Sequence, residues 1–423
     1  MPRVAAVDPV RVGDSVTIGV SDLDGLIREL AARGYETIGP TVRDGAVVPG
    51  PVSSVGQLPR GVHDEQAPGS YRLRHEGDDE LFGWAVGPAS YKGVLFPAEE
   101  TLWRARRDGQ DVVVDEVRDA RPPLAIVGAR PCELAALEVL DRVLLGGPVV
   151  DDRYAARREE AFVLVAECGK PAATCFCTSM GTGPAAGASA SVSPSEPRFD
   201  LAIAEIVDDE PGAAGERPDA GAPVSRDVRV GRGHRFVVTV GSERGASLLE
   251  HVAHVEASAA DRAARAGVLA RAAAQMGRSL DTDGLAPLLA RNIDSPRWQD
   301  VAQRCLSCGN CTMVCPTCFC TDVDDVTDLT GAVERRRHWA SCFDLGHSFM
   351  HGGPVRSSAA SRYRQWATHK LSTWHDQFGT SGCVGCGRCI AWCPVGIDIT
   401  EEAAAIRASD VEAAGAGQTR GER

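Results

Sequence analysis

Long apolar runs are missing from this 423-residue sequence. No stretch approaches the roughly 18–20 residues that a helix needs to span a bilayer. The opening residues, Met1-Pro2-Arg3-Val4-Ala5, carry neither a basic patch leading into an apolar core nor a twin-arginine signal. A soluble, cytoplasmic protein is the expectation. Positive charge is in short supply, with 45 Lys and Arg against 58 Asp and Glu for a net −13. That balance argues against nucleic acid as the main partner, because phosphate binding needs a concentrated positive face. Motifs for substrate chemistry are also lacking. No G-x-G-x-x-G follows a candidate strand, and Gly181-x-Gly183 runs instead into a low-complexity stretch. There is no P-loop, nucleophile elbow or H-E-x-x-H.

Cysteine is abundant, with 15 in the chain. A secreted disulfide scaffold would be short and preceded by a signal peptide, so clustered thiols here point to metal. Cys305, Cys308, Cys311 and Cys315 are followed by Pro316, and Cys383, Cys386, Cys389 and Cys393 by Pro394. Each member of the second run lies 78 positions after its counterpart (383 against 305, 393 against 315), so the run is an internal repeat. In C-x2-C-x2-C-x3-C-P, a tight loop wraps three thiolates around one cubane, and the fourth points to the other cluster. The spacing therefore predicts one [4Fe-4S] cluster on Cys305, Cys308, Cys311 and Cys393, and a second on Cys383, Cys386, Cys389 and Cys315. Gly309, Gly385 and Gly387 permit the dihedrals that turn backbone N–H groups toward cluster sulfur. Paired zinc ribbons are the alternative, but a doubled four-cysteine run ending in proline fits zinc poorly.

Seven cysteines remain. Thr174-Cys175-Phe176-Cys177-Thr178 and Thr317-Cys318-Phe319-Cys320-Thr321 are the same pentapeptide, with Cys168 and Cys342 near them and Cys132 further off. Buried free cysteines often behave as small hydrophobes. Six in two matched settings instead suggest a third metal centre bridging two domains, iron–sulfur in preference to zinc. It would draw on Cys168, Cys175, Cys177, Cys318, Cys320 and Cys342, and the sequence alone does not choose which four. The basic stretch Arg335, Arg336, Arg337, His338, Arg356, Arg362, Arg364, His369 and Lys370 reads either as a solvated face or as cations facing anionic clusters. His347 and His351 are isolated and read as structural.

The fold class expected is an α/β N-terminal domain, an α-helical segment and a C-terminal bacterial-ferredoxin-like domain with two [4Fe-4S] clusters. Val16 to Val20 reads as a strand followed by a helix with Leu23, Leu26, Ile27 and Leu30 on one face. Residues 124–128 and 161–165 read as buried parallel strands, the first leading through Pro131 into a helix. The divisions expected are an α/β domain at 1–250 with low-complexity insertions at 184–197 and 210–233, a helical connector at 251–297, the dicluster domain at 298–408, and a disordered tail at 409–423. Val268, Leu269 and Met276 are candidate core positions of the connector.

Arg130-Pro131-Cys132-Glu133-Leu134, Thr174 to Thr182, Arg304 to Thr312, Trp339-Ala340-Ser341-Cys342-Phe343 and Cys383 to Cys389 together resemble one family. It is that of the beta subunit of cytosolic group 3 nickel–iron hydrogenases (sulfhydrogenases), which also includes the A subunit of anaerobic sulfite reductase. The resemblance spans roughly residues 14–405. It implies an electron-transfer subunit of an oxidoreductase complex, relaying single electrons between a flavin- and NAD(P)-binding gamma-type subunit and a catalytic subunit. No residue of this chain is expected to be catalytic, and FAD is expected on the partner. Arg362 to Leu371 and Gly396 to Thr400 look closer to the hydrogenase branch than to the sulfite reductase branch. A stand-alone ferredoxin-like carrier is the third reading.

Overall fold

A computed structural model describes residues 9–117, 121–187, 199–208 and 233–421, with side chains as far as 412 in the last segment. Most of the insertions expected at 184–197 and 210–233 falls outside the described residues, as do 422–423. The strand Ser15–Gly19 passes directly into the helix Val20–Ala32. Asp22, in its first turn, accepts the Gly19 N–H at 2.9 Å, placing a carboxylate at the positive end of the helix. Leu23, Leu26, Ile27 and Leu30 then fall on one face and are fully buried.

Leu124–Ala129 and Phe162–Ala166 are buried at every position, as continuous aliphatic strands in a covered parallel sheet are. They pair in parallel with each other, with Glu36–Arg43 on one side and with Leu201–Val207 on the other. Antiparallel strands complete an eight-stranded sheet: Ala46–Pro51 beyond Glu36–Arg43, and His234–Val240, Ser15–Gly19 and Val255–Glu256 beyond Leu201–Val207. The last of these lies past residue 250, so the sheet reaches into the segment expected to be a connector. In the following helix, Ala259–Ala274, Val268 and Leu269 are only half-buried, as is Met276 beyond it, and Ala272 holds the buried position.

The C-terminal segment does not stand apart from this domain. Thr321–Thr327 and Val333–Trp339 form a hairpin that pairs edge to edge with the hairpin Glu99–Asp108 and Asp111–Glu116, making one four-stranded antiparallel sheet. Thr321–Thr327 and Asp111–Glu116 are largely exposed and Val333–Trp339 is half-buried throughout, and no strict apolar alternation marks these strands in the sequence. The basic run is accounted for here by carboxylates rather than by clusters. Arg335 pairs with Asp325, Arg336 with Glu334, His338 with Asp324, and Arg337 with Glu100 and Asp151. The tail expected to be disordered over 409–423 is instead helical in Ile399–Gly421, where alanine, glutamate and arginine favour helix. Arg291 clamps it at Asp410, 2.6 Å away. No helix among the described residues is long and apolar enough to cross a membrane.

Glu100 joins the two hairpins to the helix Asp152–Glu159 by pairing with Arg153, Arg157 and Arg337. Burial raises its carboxyl, but the hydrogen bonds from Arg337 and Arg157 outweigh that and hold it below the usual range. A depressed carboxylate stabilises the fold above its unfolded value near 4.5, and that contribution is lost as pH falls through the folded value. Glu100→Gln is therefore expected to destabilise the chain by about 1–3 kcal/mol at neutral pH. It should also flatten the acid limb of stability below pH 4.5, as read by thermal melts at stepped pH. An unchanged acid limb would show that this pairing is not what acid titrates.

Candidate metal centres

The two cysteine runs fold alike. In the first, Cys305 ends the helix Arg297–Arg304, and its sulfur accepts the Ser307 N–H at 3.4 Å. In the second, the sulfur of Cys383 accepts the Gly385 N–H at the same distance. Ser307 and Gly385, equivalent in the repeat, both adopt left-handed backbone, at φ +52° and +65°. Gly309 and Gly387 follow at +77° and +75°, each opening a one-turn helix, Asn310–Met313 and Arg388–Ala391. These turns direct N–H groups toward the thiols, which is what anionic cluster sulfur requires.

Cys305, Cys308, Cys311 and Cys393 line one cavity, walled by Tyr363 and Trp366, and Cys389 reaches it as well. Cys308 is exposed, so this cavity lies close to solvent. Cys315 lies beside Cys383, Cys386 and Cys389, all three deeper in the molecule. The structure thus places the members of each expected set near one another, with Cys389 lying between the two groups. Burial pushes the Cys383 thiol up to about 12, so an electrophile such as iron is needed to make it a thiolate. A tetrahedral zinc, with Zn–S of about 2.3 Å, would hold its sulfurs roughly 3.8 Å apart. Among the described residues, the one group of three His, Cys, Asp or Glu ligand atoms closing within 4.8 Å is His63, Glu76 and Asp78, which contains no cysteine. The wider spread of the sulfurs suits a cubane, with an iron at each of four corners. His347 and His351 belong to no such group.

In both matched pentapeptides the central aromatic packs into an apolar cluster, and in the first the flanking thiols line a separate pocket. Phe176 is fully buried in the C-terminal core with Leu285, Leu289 and Trp298. Phe319 packs edge-on against Trp374 and Phe378 at 5.5 and 6.1 Å. The six cysteines singled out for a third centre separate into two places. Cys168, Cys175 and Cys177 share a pocket with Cys132, which the sequence reading set aside. Cys318, Cys320 and Cys342 are grouped instead around Lys370. The one signal for Cys132 was its place in Arg130-Pro131-Cys132-Glu133-Leu134, where proline at the first helical position fixes the thiol at a helix start.

Cations approach the cysteines from within the core. Lys370, buried on a π turn at His369–Thr373, donates to Thr317 Oγ1 at 2.9 Å and to the Gly382 carbonyl at 3.1 Å, beside Cys315. Lys92 Nζ donates to the carbonyls of Cys315 and Cys318, both at 3.0 Å, and lies 3.5 Å from the Trp339 ring centroid. Burial pulls the Lys92 ammonium down to about 8. Arg362 donates to Ser307 Oγ at 3.2 Å, whereas Arg364 donates to the Ile293 carbonyl and His369 faces Gln377. Of the basic stretch, then, Lys370 and Arg362 serve the cysteine loops. Arg388 is paired with Glu133 at 2.7 Å, both side chains 5% exposed or less, tying the Cys389 helix to the Cys132 helix.

The second cysteine loop rests directly on the first pentapeptide. The Phe176 N–H donates to the Gly385 carbonyl at 2.8 Å, and Thr182 Oγ1 donates to the Val384 carbonyl at 2.6 Å. A Cβ on Gly385 would lie 2.6 Å from the Phe176 carbonyl, and one on Gly387 would collide with that of Thr174. Gly385→Ala is expected to destabilise by about 2–4 kcal/mol from strain and overpacking together. Ser307→Gly, with no Cβ to strain its left-handed backbone, should be neutral or slightly stabilising. Thermal melts and iron content of the two variants check this; equal behaviour would contradict the docking geometry.

Residues 304–397 match the family of the 4Fe-4S dicluster domain. The chain is also similar to sulfhydrogenase 2 subunit beta of Pyrococcus furiosus, at 30% identity over 322 residues, which is 73% of this chain and 82% of the relative. That similarity runs far beyond the dicluster segment, and with the cysteine loops it identifies an iron–sulfur protein that belongs to the family of the sulfhydrogenase beta subunit.

Proposed function

We propose that this chain is the electron-transfer subunit of a nickel–iron hydrogenase complex, passing single electrons between a flavin- and NAD(P)-binding subunit and a catalytic subunit. The observation that carries the reading is the pair of crosswise four-cysteine sets, Cys305, Cys308, Cys311 with Cys393, and Cys383, Cys386, Cys389 with Cys315. Held in those sets, two [4Fe-4S] clusters would exchange one electron each, while flavin chemistry supplies the two-electron step elsewhere. The chain's own residues bind and tune. Backbone N–H groups of Ser307, Gly385 and Ile397 point at cysteine sulfur, and Lys92 and Lys370 bring positive charge to the inner set. Both effects favour the reduced, more negative cluster. The exposed Cys308 end is the port nearer solvent, and the Cys386 end faces the α/β domain. A third centre among the remaining cysteines would extend the wire in that direction. The absence of substrate motifs fits a subunit whose electrons are made and used on other chains.

The hydrogenase branch is favoured over the sulfite reductase branch because the relative covered over 82% of its length is a sulfhydrogenase subunit. Anaerobic purification of the native assembly, followed by mass spectrometry of its subunits and cofactors, tests the reading. A nickel-containing large subunit and a flavoprotein are expected. Sirohaem in the assembly, or a lone chain with full cluster content, would overturn it.

A further inference from the structure

Four cysteines outside the dicluster repeat converge on one buried apolar pocket of the α/β domain. Cys132 sits in the first turn of the helix Pro131–Leu144, Cys168 follows the strand Phe162–Ala166, and Cys175 and Cys177 flank the buried Phe176. None is more than 9% exposed. Their existing contacts are weak: Cys175 Sγ lies 3.7 Å from the Cys386 carbonyl, and Cys177 Sγ lies 3.9 Å from Met276 Sδ. Packing alone would account for one or two such thiols as small hydrophobes. It does not account for the charge beside them. Arg130, 1% exposed, lines the pocket, its guanidinium held by the carbonyls of Phe82, Trp84, Ala85, Ala166 and Glu167. Arg388, equally buried, bonds Gly87, Ala89 and Glu133, yet its Nη1 has no hydrogen-bond partner. The sulfurs of Cys386 and Cys132 are the anion-forming groups beside it after Glu133. Glu133 matches the charge of Arg388, and the spare donor of Arg388 faces Cys386 of the repeat. Arg130 is held by carbonyls alone, so neutral thiols beside it would leave a buried positive charge unmatched, whereas thiolates on a cluster match it.

We propose that Cys132, Cys168, Cys175 and Cys177 hold a third [4Fe-4S] cluster, and that Cys318, Cys320 and Cys342 do not. Assembly of the cubane there converts four thiols to thiolates and releases four protons, and the bound cluster then takes up or gives one electron. Cys386 lines the same pocket, so the third cluster adjoins the inner cluster of the repeat. The cluster's place in the relay rests on the function proposed above; its existence does not.

The test is iron and acid-labile sulfide analysis of the full-length chain purified anaerobically. About twelve irons and twelve sulfides per chain are expected for three cubanes. The Cys132→Ser/Cys175→Ser double variant should lose about four irons and keep the two-cluster spin-coupled EPR signal of the dithionite-reduced repeat. Cys320→Ser/Cys342→Ser should keep all of its iron. About eight irons in the wild-type chain would overturn the proposal while leaving the dicluster reading intact, and so would one zinc in place of the missing irons. Loss of iron from the Cys320/Cys342 variant in place of the Cys132/Cys175 variant would also overturn it. If the Cys132/Cys175 variant does not fold, the wild-type count and the Cys320/Cys342 variant decide alone.

Discussion

The backbone contact between the Phe176 N–H and the Gly385 carbonyl is the constraint on which the rest of the molecule depends. It exists because neither Gly385 nor Gly387 carries a Cβ, so the second cysteine loop can lie on the 174–178 segment at main-chain distance. Phe176 then crosses into the C-terminal core while its two neighbouring thiols stay in the α/β domain. The Arg388–Glu133 pair fixes the same joint from the other side, and Arg278 adds a bond to Asp398. Two segments that could have been beads on a string are locked at the point where cysteines from both approach each other.

Charge decides how such a joint can be buried. A cubane on four thiolates is a net anion, and an anion in a dry interior is costly unless matched. Lys92, Lys370, Arg130 and Arg388 are all nearly inaccessible, and each is anchored by carbonyls, hydroxyls or a carboxylate so that it cannot move away. This arrangement explains why a chain of net −13 places buried cations beside its cysteines and spends its exposed arginines on Asp and Glu of the hairpins. Positive charge is local where it is needed. The protein surface stays acidic.

Local rules carried the sequence a long way. The repeat of 78 residues, the left-handed glycines, the aliphatic strands at 124 and 162 and the proline-led helix at 131 are all short-range patterns, and the structure has them where they are written. Other features were not legible. The polar strands Thr321–Thr327 and Val333–Trp339 carry no apolar alternation, and only pairing with a hairpin more than 200 residues earlier makes them a sheet. The helix through 409–421 was hidden by a composition that also suits a flexible tail. Cys132 was passed over because nothing in its own neighbourhood announces three other thiols.

By itself, then, the sequence determined the chemistry: thiolate spacing admits a cubane pair, and no substrate motif accompanies it. The tertiary structure decided which of the other cysteines meet. Four residues from a helix start, a strand end and a loop come together only when the sheet forms and the second cysteine loop docks on it. The three near Lys370 go elsewhere, because Phe319 turns into its own aromatic pocket around Trp374. Spacing along a chain fixes what one loop can hold. Convergence of separate elements is set by the packing between them, which no local pattern records.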